Sequence, residues 1–157
     1  MTTGTVTADL EPLLRLTVHD AGGTPHDLEA VVDTGFNGFL TLPPAVIAAL
    51  GLPWLCRQQG QLADGSLLTF DVHVATVIWH GQPRCVEVEA ADAQPLLGMA
   101  MMLGSDLRIQ VEAGGSVTIS ESPGAAADQR QVEPRYGPIR INKDNDSGRA
   151  SSDDGAS

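Results

Sequence analysis

Apolar positions in this chain come in short runs broken by glycine, proline and polar pairs. Leu13 to His19 is apolar and β-branched with partial alternation, which predicts a strand, and Ala21-Gly22-Gly23 supplies the turn after it. A second strand is predicted through Leu28 to Val32, and a third short run, Phe39 to Leu42, ends at Pro43-Pro44. Pro44 suits the first position of a short helix, Ala45 to Leu50 are compatible with it, and Gly51 stands where a left-handed cap would close it. Pro53 stops the helix from continuing. From Arg57 to Glu89 the pattern is β again. Asp64-Gly65 predicts a two-residue hairpin turn with both central residues at positive φ. His80-Gly81 predicts a second reversal, between Val74–Ile78 and Cys85–Val88. A brief helix is predicted over Met99–Leu103, with Gly104 as its cap. A last hairpin joins Leu107–Glu112 to Ser116–Ser120 through Ala113-Gly114-Gly115.

Short strands with two short helices predict a small, all-β, barrel-like domain over residues 10–120, preceded by an N-terminal segment, 1–9. From Glu121 onward the pattern fails: only nine of the 37 remaining residues are apolar. That composition cannot bury a core, so residues 121–157 read as a disordered acidic and polar tail. Tyr136–Ile141 is its one candidate docking segment.

Composition narrows the function classes. With 157 residues, 42% of them apolar, one domain with an ordinary core is expected. The net charge of −11 argues against nucleic acid and against anionic membrane surfaces as partners. Residues 1–120 carry −9 of it, with only four bases, Arg15, Arg57, Arg84 and Arg108. Solubility explains that charge, and a preference for basic substrates is a sharper alternative. Met1 to Asp9 lacks the basic start and apolar run of a signal peptide, and no stretch has the length of a membrane span, so a cytoplasmic location is expected. Cys56 and Cys85 then read as thiols rather than a disulfide. His19, His26, His73 and His80 show no ligand spacing, so no metal and no cofactor is expected.

The chemistry concentrates at Val31-Val32-Asp33-Thr34-Gly35: two β-branched residues lead into an acid, a hydroxyl and a glycine. Alone, Asp33-Thr34-Gly35 is also ordinary turn chemistry after a strand. Its context adds a polar, small-residue hairpin tip, Ala63-Asp64-Gly65-Ser66, and then Leu96-Leu97-Gly98, which alone would be a core strand.

Taken in order, these three motifs resemble the retropepsin-like aspartic proteases of clan AA, and in particular bacterial single-domain members whose motif reads Asp-Thr-Gly-Phe. The resemblance covers roughly residues 10 to 120. It implies the small closed acid-protease barrel, with Asp33 catalytic. It implies that Leu96-Leu97-Gly98 threads beside the Asp33 loop in a psi-shaped structure, and that Ala63, Asp64, Gly65 and Ser66 form a flap over an extended peptide. Thr34 would bond across a two-fold axis, and Gly35 would allow the backbones to approach closely.

Hydrolysis by carboxylates needs two of them, one as general base and one protonated to polarise the carbonyl. Ser105-Asp106-Leu107 and Ala63-Asp64-Gly65 lack the apolar lead and the Thr-Gly, so the chain supplies one such loop. The expected unit is therefore a homodimer with Asp33 on both sides of the axis. Leu62, Leu67 and Leu68 are candidate pocket residues for an extended peptide. Phe36 is bulkier than the residue many relatives carry there, and the flap tip has a single glycine. The rival reading keeps the fold without the chemistry: a non-catalytic retropepsin-fold module for peptide binding or assembly.

Overall fold

The computed structural model describes residues 1–124. Ten strands run in chain order: β1 (Thr2–Val6), β2 (Pro12–His19), β3 (Pro25–Val32), β4 (Leu40–Leu42), then β5 (Trp54–Gln61), β6 (Leu67–Trp79), β7 (Gln82–Ala90), β8 (Leu96–Leu97), β9 (Ser105–Ile109) and β10 (Ser116–Glu121). Between β4 and β5 lies α1 (Pro44–Leu50). It starts at proline and closes on Gly51 at φ 62°, as the spacing predicts. The tail and its Tyr136–Ile141 segment lie outside the described residues, apart from Glu121–Gly124.

All ten strands belong to one sheet, ordered β5-β6-β7-β4-β8-β3-β2-β1-β10-β9. The long β6 has two additional uses. Its first half pairs with β5, and Thr76–Ile78 pairs with Thr17–His19 of β2. Following neighbours from β2 through β6, β7, β4, β8 and β3 therefore returns to β2. The space inside is filled by alternating side chains, since successive strand residues point to opposite faces. Leu14, Leu16 and Val18 of β2 point inward, as do Ala75, Val77 and Trp79 of β6 and Val86 and Val88 of β7. Ile47 and Leu50 of α1, Leu97, Met101 and Ile119 complete the core.

The segment 1–9, set apart from the domain by sequence, carries β1, which lies between β2 and β10 and is bonded on both sides. The reversal at Asp64-Gly65 is also built differently. Gly65 N–H donates to Leu62 C=O, Leu62 N–H donates to Ser66 C=O, and only Gly65 has positive φ. This is a turn closed by a left-handed glycine rather than a two-residue turn. The two-residue form occurs at His80-Gly81, where φ is 49° and 76°.

The helix expected over Met99–Leu103 is absent, and the segment runs as successive turns. Its backbone bonds residues distant in sequence. Met99 N–H bonds Phe36 C=O at 2.8 Å, Ala100 N–H bonds Gly38 C=O at 3.1 Å, and the Arg84 guanidinium takes Met101 C=O at 2.8 Å. The segment itself closes three-residue turns, with Met101 N–H on Gly98 C=O at 3.2 Å and Ser105 N–H on Met102 C=O at 2.9 Å.

Candidate active site

Three short strands build the Asp33 loop. Val31-Val32 of β3 runs parallel to Leu96-Leu97 of β8, and Leu40-Thr41 of β4 runs antiparallel to the same two residues. The two-residue β8 is thus held between the strand that enters the loop and the strand that leaves it. Asp33 N–H donates to Leu97 C=O at 2.9 Å, Gly98 N–H to Phe39 C=O at 2.9 Å, and Leu96 N–H to the buried Thr41 Oγ1 at 2.9 Å. The backbone on both sides of Asp33 is therefore fixed by β8.

The carboxylate is left half-buried at the loop, and Thr34 and Gly35 are exposed. Gly35 N–H donates to Asp33 Oδ1 at 2.9 Å, orienting one carboxylate oxygen. A Cβ on Gly35 would stand 3.2 Å from that oxygen, so glycine keeps the bond open. Phe36 does not fill a pocket above the loop. Its ring lies where Cβ atoms on Gly38 and Gly98 would be, 2.6 Å from that of Gly98 at Cδ1. Two glycines thus make the seat for one aromatic ring.

Ala63, Asp64, Gly65 and Ser66 sit together at the exposed tip of the β5–β6 hairpin. Asp64 accepts from both the Ser66 N–H and hydroxyl, and these bonds lower its pKa from the ordinary 3.8. Leu62, Leu67 and Leu68 are exposed beside them. Among the described residues, no hydrogen bond joins this tip to the Asp33 loop.

Arg84 and Glu89, both on β7, support the site without having been singled out by motif. Arg84 is half-buried, with its guanidinium 5.5 Å from the Phe39 ring centroid and bonded to the carbonyls of Met101 and Ala100. It clamps the segment after Gly98 against the strand after Asp33. Arg84→Met is expected to cost about 2 kcal/mol in urea unfolding, because two carbonyls lose a charged donor. Arg84→Lys should recover part of that loss.

Glu89 carries a carboxyl whose pKa is raised from 4.5, first by burial and then by neighbouring Glu87. Its Oε1 lies beside Gly38, 3.3 Å from where a Cβ would be. With the folded value raised, the unfolded chain ionises first as pH climbs above 4.5, so stability is lost between there and the folded value. Glu89→Gln should remove that loss, melting near the parent at pH 4 and above it at pH 7. The effect should be modest, because the carboxyl keeps contact with water.

Among the described residues, no cluster of three or more histidine, cysteine or acidic side chains is arranged to hold a metal, and no helix is long and apolar enough to cross a membrane. Cys56 and Cys85 are free thiols. A scan against models of known protein families finds no match, and no curated protein matches the chain.

Proposed function

We propose that this chain is an aspartic endopeptidase whose catalytic dyad is Asp33 from each of two copies. The observation that carries the reading is β8 held between β3 and β4, with the Asp33 N–H bonded to Leu97 C=O and its half-buried carboxylate accepting the Gly35 N–H. The ring of pairings through β2, β6, β7, β4, β8 and β3 supports reading the domain as a closed acid-protease barrel. Exposure of Thr34 and Gly35 in one copy supports a second copy meeting them.

Two carboxylates brought close share one proton, and their pKa values separate. The ionised Asp33 takes a proton from water as the water oxygen attacks the scissile carbonyl carbon. The protonated one hydrogen-bonds the carbonyl oxygen, which gathers negative charge. Collapse breaks the C–N bond as the leaving nitrogen takes a proton, and water is divided between acid and amine. The substrate is an extended peptide under the β5–β6 hairpin, with Leu62, Leu67 and Leu68 as the apolar side chains available to it.

The test is a diverse peptide library incubated with the full chain from acid to neutral pH and read by mass spectrometry. Cleavage products that follow a bell-shaped dependence on pH are expected. Intact peptides at every pH, from a chain shown to be dimeric, would overturn the reading.

A further inference from the structure

Among the described residues, two edges of the sheet lack a neighbour, β5 and β9. On β5 the nearby charges are already matched, since Arg57 Nε meets Asp71 Oδ1 of its own hairpin at 3.1 Å. On β9 they are not: Asp106 and Arg108 are exposed, and among the described residues Arg108 has no ion pair. Asp106 accepts a bond from Ser122 Oγ at 2.9 Å.

The phase of β9 is set by its bonds to β10. Gln110 N–H donates to Ser116 C=O and Ser122 N–H to Gly104 C=O. In an antiparallel ladder alternate residues bond the same neighbour, so residues 104, 106, 108 and 110 face β10. The N–H and C=O of Leu107 and Ile109 then point off the end of the sheet, with the C=O of Ser105; the Ser105 N–H is bonded to Met102 C=O. Such a row is a template for another strand.

We propose that β9 is the seam through which two copies of this chain join, antiparallel, about a two-fold axis at Leu107. The backbone phase selects that centre. Leu107 meets Leu107 of the second copy as a hydrogen-bonded pair, and Ile109 N–H reaches the second copy's Ser105 C=O. Asp106 then stands opposite the second copy's Arg108, and Arg108 opposite the second copy's Asp106, both in the closely spaced, non-bonded positions. Continued past the strand ends, the same register sets Leu103 against the second copy's Val111, and both side chains are exposed in one copy. Opposed charges and opposed apolar groups thus match in a single register. The pairing is also electrically neutral, which matters for a chain with −9 over residues 1–120. The seam rests on the shared-dyad reading for its purpose but not for its test.

Charge exchange tests it. Asp106→Arg sets Arg against Arg in the homodimer, and Arg108→Asp sets Asp against Asp. Sedimentation of the full chain should show a dimer for the parent and, for each single variant, dimer association weakened about tenfold or more. An equimolar mixture of the two variants should sediment as a heterodimer, because both pairs are then of opposite sign. The double variant, Asp106→Arg with Arg108→Asp, should recover the parent's dimer. Melting curves of each variant check that it is folded. A monomeric parent, a single variant that dimerises like the parent, or a mixture no tighter than its components would overturn the seam. Asp33→Asn should leave sedimentation unchanged, so loss of the protease reading and loss of the seam are separately visible.

Discussion

Replacing Asp33 with Asn is expected to lower kcat/KM on a cleaved peptide by roughly 10³-fold, within the range that a positioned general acid or base contributes. The melting temperature should barely move. Asn keeps the shape of Asp and an Oδ1 that can accept the Gly35 N–H, and neither Thr34 nor Gly35 is buried. What Asn cannot do is take a proton from water. The same variant tests how the work is divided. If the dyad needs one carboxylate from each copy, a mixed dimer is inactive. An equimolar mixture should then retain about a quarter of the parent's activity rather than half, because only dimers drawing two parent copies are intact in an isologous pair. Half the activity would mean that each copy works alone, and unchanged activity in pure Asp33→Asn would remove Asp33 from the chemistry.

Gly98→Ala should lower stability by about 3 kcal/mol in urea unfolding, at the upper end for overpacking a well-filled site. A Cβ there would overlap Gly38 C=O, which is backbone, and come 2.6 Å from Phe36 Cδ1. The carbonyl has nowhere to retreat, because it already accepts the Ala100 N–H. Gly38→Ala meets only the Phe36 ring and Glu89 Oε1, which are side chains that can shift. It should therefore cost less, and Phe36→Leu should relieve Gly38→Ala but not Gly98→Ala. Equal costs at the two glycines, with equal relief by Phe36→Leu, would mean that the ring rather than the backbone sets the Gly98 requirement.

The elements legible in the sequence were those with local causes. Pro44 and Gly51 bracket α1, as their fixed and left-handed φ require. The β-branched lead Val31-Val32 reads as a strand ending in Asp33, and Leu96-Leu97 as the short strand that becomes β8. The misreadings fell where partners outside the motif shape the backbone. Met99–Leu103 has the composition of a helical turn, but its backbone is engaged by Phe36, Gly38 and Arg84, none of them near it in sequence. At Asp64-Gly65 the dipeptide was right for a turn, but Leu62 and Ser66 close the loop from further out. Arg84 and Glu89 belong to no motif. An arginine in a strand of a domain with so few bases was the one available signal, and only the fold shows which carbonyls it holds. For Phe36 the sequence showed bulk, and the structure shows the two glycines that make room for it.

The threading of β8 between β3 and β4 also governs when the Asp33 loop can exist. The partner that fixes the Asp33 N–H is Leu97, and the intervening chain contains β4, α1 and the whole of β5, β6 and β7. Contacts of such sequence separation form late, because the closure entropy of the loop must be met before they contribute. During synthesis, a chain that has emerged as far as the β5–β6 hairpin already carries Asp33 but has nothing to hold it. The Asp33 loop is thus held in its folded geometry only when almost the entire domain has been made, a consequence of strand order alone.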